Sequence, residues 1–234
     1  MRLIDGTPIH GASTNPVRLS VGFRLYLITD RKLAGARGLI ATCETALQAA
    51  ADSAPRAAIA VQLREKDLEA RALFELARAM RQLCDRYRAP LLINDRIDVA
   101  IAAGADGVHL ASDSVSAADA RKLLGDSRLI GVSTHSSADV SAAAQAGADF
   151  VVFGPVFPPL SKGSYGPPCG REGLVAACGA ASLPIFALGG ITPERAESLA
   201  GAGAAGVAVI GSVIGAENPA SATKALLDAL ARWN

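Results

Sequence analysis

The sequence predicts a (β/α)8 barrel, the TIM-barrel class, in a single domain, and three observations carry that prediction. Short β-branched runs alternate with Ala-rich helical stretches eight times along the 234 residues, roughly one βα unit every 26 residues. A glycine-bearing helix exit recurs three times in nearly the same words. Unusual polar residues fall repeatedly just where strands would end, the face on which barrels of this kind place their chemistry.

The predicted strands are Arg24–Thr29, Ile59–Leu63, Pro90–Asn94, Gly107–Leu110, Leu129–Ser133, Phe150–Phe153, Pro184–Leu188 and Val207–Ile210. Between them, Ala70–Tyr87, Ala117–Leu124, Ala138–Ala146 and Pro193–Ala202 carry apolar residues at helical spacing. Thr192-Pro193-Glu194 reads as a helix start, with Thr as the cap and Pro in the first turn. The near-copies AAGADGV (102–108), QAGADFV (145–151) and GAGAAGV (201–207) each end a helix on glycine, turn, and open a Val-containing strand. A doubly wound open sheet is the weaker alternative, because no Gly-x-Gly-x-x-Gly follows the first strand.

Composition narrows the function classes. Half of the residues are hydrophobic and 19% are charged, which excludes extensive disorder. Twenty-three basic against 22 acidic side chains leave a formal charge of +1, so nothing draws the whole chain to nucleic acid or to an anionic membrane. Any anion site must be local. No apolar run reaches the length of a membrane span. Residues 1–22 read as a leading arm without the apolar stretch of a signal peptide, and 23–234 as the barrel. Cys43, Cys84, Cys169 and Cys178 form no C-x-x-C pair; scattered thiols suit a reducing cytoplasm better than a disulfide scaffold or a zinc cluster.

The candidate site is assembled from the strand ends. The first strand ends in Thr29-Asp30. The second runs into Gln62-Leu63-Arg64-Glu65-Lys66, where alternation sends Gln62, Arg64 and Lys66 to one side. Such a set is costly to bury without a ligand or counter-charges. Structural salt bridging is the weaker alternative, because Arg64 and Lys66, two apart, would both need buried partners. Asn94-Asp95 closes the third strand; alone it is a helix cap, but beside two cations Asp95 is a candidate Mg²⁺ ligand. His109 fits a satisfied strand histidine. His135, past the fifth strand, is placed where it could move a proton or simply cap a helix.

A Gly- and Pro-rich stretch, 154–170, follows the sixth strand and reads as an active-site lid, with Lys162 able to reach an anion. Gly189-Gly190 and Gly211-Ser212 follow the last two strands, where barrels commonly hold a phosphate on backbone N–H groups. The features together describe a basic, metal-capable pocket and a separate glycine cradle. A diphosphate and a monophosphate would fill them.

With those motifs in place the chain resembles the thiamine phosphate synthase family and its close relative, the thiazole tautomerase branch. The stretches that carry the resemblance are LYLITD (25–30), QLREKD (62–67), INDR (93–96), GVHL (107–110), GVSTH (131–135), FGPVFP (153–158), LGGI (188–191) and GVAVI (206–210). They run in order along nearly the whole chain after residue 23. The resemblance implies a Mg²⁺-dependent transferase that joins hydroxymethylpyrimidine diphosphate to thiazole phosphate, giving thiamine phosphate and pyrophosphate. It places Gln62, Arg64, Lys66, Asn94 and Lys162 on the pyrimidine diphosphate, with Ser133 near the pyrimidine. Asp95 would ligate the metal. Pro159, Leu160 and Ser161, with Gly189, Gly190, Ile210 and Gly211, would face the thiazole phosphate.

The implied partners are therefore small phosphorylated molecules, with no nucleic acid or membrane; self-association is left open. Three departures stand out. Ser114 occupies the place of the family's second metal aspartate, with Asp113 one residue earlier. The lid reads Pro159-Leu160-Ser161-Lys162 where the family has Thr-x-Thr-Lys. The last strand ends Val209-Ile210-Gly211 in place of Val-Val-Ser. The first departure keeps two alternatives open: a tautomerase using His135, and a binder of thiamine intermediates without turnover.

Overall fold

The computed structural model describes residues 21–53, 59–159 and 166–233. All but the last two residues of the expected arm, and residues 160–165 of the expected lid, lie outside them. Eight strands close into one parallel barrel in chain order: β1 (Leu25–Ile28), β2 (Ile59–Leu63), β3 (Leu91–Asn94), β4 (Gly107–Leu110), β5 (Leu129–Thr134), β6 (Phe150–Phe153), β7 (Ile185–Leu188) and β8 (Gly206–Val209), the last pairing with β1. Around them run α1 (Arg31–Ala34), α2 (Leu39–Ala51), α3 (Ala70–Tyr87), α4 (Ile97–Ala102), α5 (Ala117–Leu124), α6 (Ser137–Gln145), α7 (Gly170–Cys178), α8 (Pro193–Ser198), α9 (Gly211–Ile214) and α10 (Pro219–Ala231). No helix among the described residues is long and apolar enough to cross a membrane.

Strand parity divides the core into two layers. Leu25, Leu27, Val61, Leu63, Leu91, Ile93, Val151 and Val207 pack outward against the helices. Tyr26, Ile28, Ala60, Leu92, Leu129, Phe150, Val152, Phe186 and Ala208 fill the barrel interior. On the helix side, α3 repeats Leu73, Ala77, Met80 and Cys84 at three- and four-residue intervals and buries that stripe, each large apolar side chain contributing about 1.5–3 kcal/mol. Inside the barrel an aromatic group excludes water. Phe23 stacks on Phe186 at 4.8 Å, and Tyr26 meets Phe150 edge-on at 5.4 Å.

The repeated helix exits behave alike for a physical reason. Gly104, Gly147 and Gly203 take φ of +66°, +85° and +88°, a region open to glycine but strained for other residues. In two of the copies the aspartate then anchors the neighbouring strand. Asp106 Oδ2 accepts from the Leu91 amide and Asp149 Oδ2 from the Ile130 amide, each at 2.7 Å. Arg81 and Arg121 supply the paired guanidinium groups. The third copy has Ala205 there and no such anchor.

Several boundaries differ from the sequence expectation by a single residue, and two differences bear on the site. The helix starting at Pro193 is capped by Thr192 as expected but ends at Ser198, not Ala202, because Gly201 and Gly203 both turn with positive φ. β8 spans Gly206–Val209, so Ile210 caps α9 and does not end the strand. The cysteines form no disulfide. Burial pushes the Cys84 thiol up to about 12 and Cys43 higher still, which keeps both unreactive.

Candidate functional site

The inward parity that fills the barrel with Tyr26, Leu92 and Phe150 also aims polar residues into its mouth. Gln62 and Asn94 are the next inward positions after Ala60 and Leu92, and Gln62 Nε2 donates to Asn94 Oδ1 at 3.4 Å. On the next two strands Ser133 Oγ lies 3.0 Å from His109 Nε2, and His109 Nδ1 lies 3.4 Å from the Tyr26 hydroxyl. Gly131 makes room for this stack, since a Cβ there would sit 2.4 Å from the Phe150 ring and 2.7 Å from His109 Nδ1.

Burial, with the charge of Arg64 adding to it, lowers the His109 pKa to about 3. The imidazole is therefore neutral and carries one N–H. Tyr26 is fully buried with no other acceptor for its hydroxyl among the described residues, so it donates to Nδ1 and the imidazole proton sits on Nε2. That N–H is donated to Ser133 Oγ. The Ser133 hydroxyl is then left to donate its own hydrogen into the mouth.

The segment after β2 separates its charges. Arg64 and Lys66 make no ion pair among the described residues, although Glu65 stands between them. Glu65 is buried, and its carboxylate is fully engaged. It accepts from Thr29 Oγ1 at 2.8 Å and, with both oxygens, from the Arg31 amide at 3.1 Å, and it pairs with the Arg31 guanidinium at 3.3 Å. Thr29 Oγ1 in turn accepts from the Arg64 amide at 2.9 Å. Asp67 completes the arrangement with Arg31 and Lys32, whose hydrogen bonds hold its carboxyl well below the usual range. The result clamps the β1 and β2 exits together and leaves two cations unneutralised at the mouth.

Glu65, Lys66, Asn94, Asp95, Arg96 and Asp113 line one cleft of about 300 Å³ with Leu63, Leu68 and Leu73. Asp95 adopts φ +56°, a region where Asp is tolerated better than most residues but which still signals a held conformation. Its amide donates to His109 O at 2.9 Å. Its carboxylate accepts from the Ala111 amide at 2.8 Å and from Asn94 Nδ2 at 2.7 Å. Each oxygen keeps a lone pair for another partner. Asp113 faces the same cleft, whereas Ser114 is not among its lining residues and spends its amide on Ala111 O at 3.1 Å. The described residues hold no group of three or more acidic, Cys or His ligands. Two hard carboxylates over an open cleft suit Mg²⁺, which takes one or two protein oxygens and completes its shell with water and phosphate.

The glycine loops sit across the mouth. Gly189 and Gly190 have φ of +104° and +58°. A Cβ on Gly190 would lie 2.1 Å from Pro158 O, and one on Gly189 2.7 Å from Pro155 Cα. These glycines are therefore required first by the close passage of the chain after β6. That chain continues as a ladder beside them: Val156 N donates to Leu188 O at 2.8 Å and Phe157 N to Gly189 O at 3.1 Å. Ile210 and Gly211 open α9, and a Cβ on Gly211 would meet nothing closer than Leu33 Cδ1 at 3.9 Å. Pro159 ends the described part of the connection; Leu160, Ser161 and Lys162 lie outside the described residues. His135 is exposed at the start of the α6 loop, its Nδ1 donating to Gly154 O at 2.6 Å and its amide to Asp139.

The family model for thiamine monophosphate synthase matches residues 25–213, spanning all eight strands. The chain belongs to the thiamine monophosphate synthase family. A provisionally named thiamine-phosphate synthase of Geobacter sulfurreducens is 53% identical over 207 residues, covering 88% of this chain and 94% of the relative. The thiamine-phosphate synthase of Roseiflexus castenholzii is 42% identical, covering 98% and 97%. Among solved structures, thiamine phosphate pyrophosphorylase from Pyrococcus furiosus superposes with a TM-score of 0.76 at 32% identity, covering 89% of this chain and 96% of that one. This synthase-family chain is accordingly a transferase of thiamine biosynthesis.

Three of its site features were not read from sequence. Thr29 was noted only as a polar strand end, and its tie to Glu65 spans 36 positions. The Tyr26 contact beneath His109 depends on register across the barrel. Arg195 sits in a helix that sequence marks by its cap and its apolar spacing, with no motif that singles out the arginine.

Proposed function

We propose that this chain condenses hydroxymethylpyrimidine diphosphate with thiazole phosphate, releasing pyrophosphate and forming thiamine phosphate. The observation that carries the reading is the pair of cations without an ion partner among the described residues, Arg64 and Lys66, with Lys66 lining the same cleft as Asp95 and Asp113 while the Glu65 carboxylate is already held by Thr29 and Arg31. A mouth with free positive charge next to hard oxygen donors is suited to a diphosphate carrying Mg²⁺.

In this reading Gln62, Asn94 and Ser133 hold the pyrimidine, with the Ser133 hydroxyl donating because His109 fills its acceptor side. Arg64 and Lys66, joined by Lys162, bind the diphosphate. Gly189, Gly190, Ile210 and Gly211 receive the thiazole phosphate, together with Pro159, Leu160 and Ser161. The methylene C–O bond breaks and its electron pair leaves with pyrophosphate, whose charge Arg64 and Lys66 stabilise. The aminopyrimidine spreads the positive charge left on the methylene, and the thiazole nitrogen supplies the pair that forms the new C–N bond. The protein's part is to hold the two reactants aligned and to exclude water. Asp95 and Asp113 would hold Mg²⁺, which when bound adds charge neutralisation at the diphosphate.

The test is direct: both substrates with Mg²⁺, product followed by chromatography, and an EDTA control. Mg²⁺-dependent thiamine phosphate is the expected result. Folded protein that binds both substrates and forms none would overturn the proposal and send the carboxylated thiazole to His135 for trial.

A further inference from the structure

Gly190 and Pro158 bring two carbonyl oxygens to the same point on the mouth, and one side chain answers both. Arg195 Nη1 donates to Gly190 O at 2.6 Å and to Pro158 O at 3.2 Å. The guanidinium lies 5.2 Å over the Phe157 ring, a cation–π distance. Arg195 has no carboxylate partner among the described residues: Glu194 is taken by Thr192 Oγ1 at 2.7 Å and Glu197 by Arg232. The six-residue α8 has Arg195 in both its first and its last turn, so the helix dipole gives the cation no clear preference there. Local helix stability does not account for its placement. What accounts for it is the junction it holds.

We propose that Arg195 is a positioning residue for the monophosphate substrate. It pins the chain at Phe157–Pro158 onto the Gly189–Gly190 loop and thereby fixes the direction of the Gly190 peptide. Without the guanidinium the two carbonyls face each other unpaired, and the approach at Gly190 is held only by the ladder that ends at Phe157 N on Gly189 O. The loop then samples more than one arrangement, and backbone groups that must meet a phosphate together no longer do so. Small displacements of this kind weaken a bound reactant strongly. The proposal rests on the reading that the thiazole phosphate sits at Gly190 and Gly211.

The experiment measures steady-state kinetics with each substrate varied in turn, on the full chain and on Arg195→Met, Arg195→Lys and Gly211→Ala. Arg195→Met should raise KM for thiazole phosphate by about tenfold and leave KM for the pyrimidine diphosphate within about twofold. Arg195→Lys, which keeps a charged donor able to reach both carbonyls, should recover most of the loss. Gly211→Ala adds a methyl in open space and tests the phosphate reading independently. If Gly211→Ala raises KM for thiazole phosphate and Arg195→Met does not, the positioning role is overturned while the phosphate site stands. If neither variant changes it, the phosphate reading itself falls. An equal rise in both KM values, or a lowered melting temperature with both KM values kept, assigns Arg195 a purely structural role and also overturns the proposal.

Discussion

His109 gives the sharpest solution test of the barrel interior. Its folded pKa of about 3 lies far below the ordinary value of 6.5, because the ring is buried and Arg64 stands near it. In the unfolded chain the imidazole takes up a proton near pH 6.5, whereas the folded chain refuses it until near pH 3. Across that interval the unfolded state binds one more proton, so stability falls as pH falls, by about 1.4 kcal/mol per unit. Above pH 6.5 both states are neutral there and the residue adds no slope. His109→Gln removes the titration while keeping an amide N–H for Ser133, at a constant loss from the unpaired Tyr26 hydroxyl. Urea unfolding at pH 7.5, 6.5, 5.5 and 5.0 should show the wild type losing about 2 kcal/mol more than the variant between pH 7.5 and 5.0. Titrating carboxylates affect both proteins alike and cancel in the difference. Parallel stability–pH curves would refute the account of His109 as a buried neutral ring, and with it the assignment of the Ser133 hydroxyl as a donor.

Two further substitutions probe the mouth. Thr29→Val removes a hydroxyl that joins Glu65 to the Arg64 amide, leaving buried polar groups unpaired at a cost of about 1–3 kcal/mol. It should also weaken inorganic pyrophosphate binding in calorimetry, and unchanged affinity would separate the clamp from the cations it carries. Asp113→Ala changes an exposed side chain, so the melting temperature should hold while the Mg²⁺ concentration for half-maximal rate rises about tenfold. An unaltered Mg²⁺ dependence would remove Asp113 from the metal site.

What could be read from the sequence was what local periodicity encodes. Strand alternation picked out Gln62 because parity needs only the strand's own register, whereas Asn94 was read from a strand end and Ser133 from the family resemblance. The Gly-Ala-Asp exits were legible because positive φ selects glycine wherever it occurs. Glu65 was not legible. Alternation separates it from Arg64 and Lys66, but its neutralising partners Thr29 and Arg31 come from another strand exit and are known only once the barrel closes. The pair Gly189-Gly190 was read as a phosphate cradle alone, whereas the passing chain at Pro155 and Pro158 already demands both glycines. A short motif records that a Cβ is forbidden without recording which neighbour forbids it.

The same distinction bears on the one-residue displacement of the second acidic residue. In a strand, moving a carboxylate from position 114 to 113 would turn it to the opposite face. Here the positions belong to a turn closed by the Ser114 amide on Ala111 O, where no two-residue period applies. Asp113 lines the cleft with Asp95 from that turn, and Ser114 does not. Because the Asp95 carboxylate also holds the Ala111 amide, the first carboxylate fixes the start of the turn that presents the second. The departure from the family pattern therefore moves the acidic residue along the chain without removing a carboxylate from the cleft.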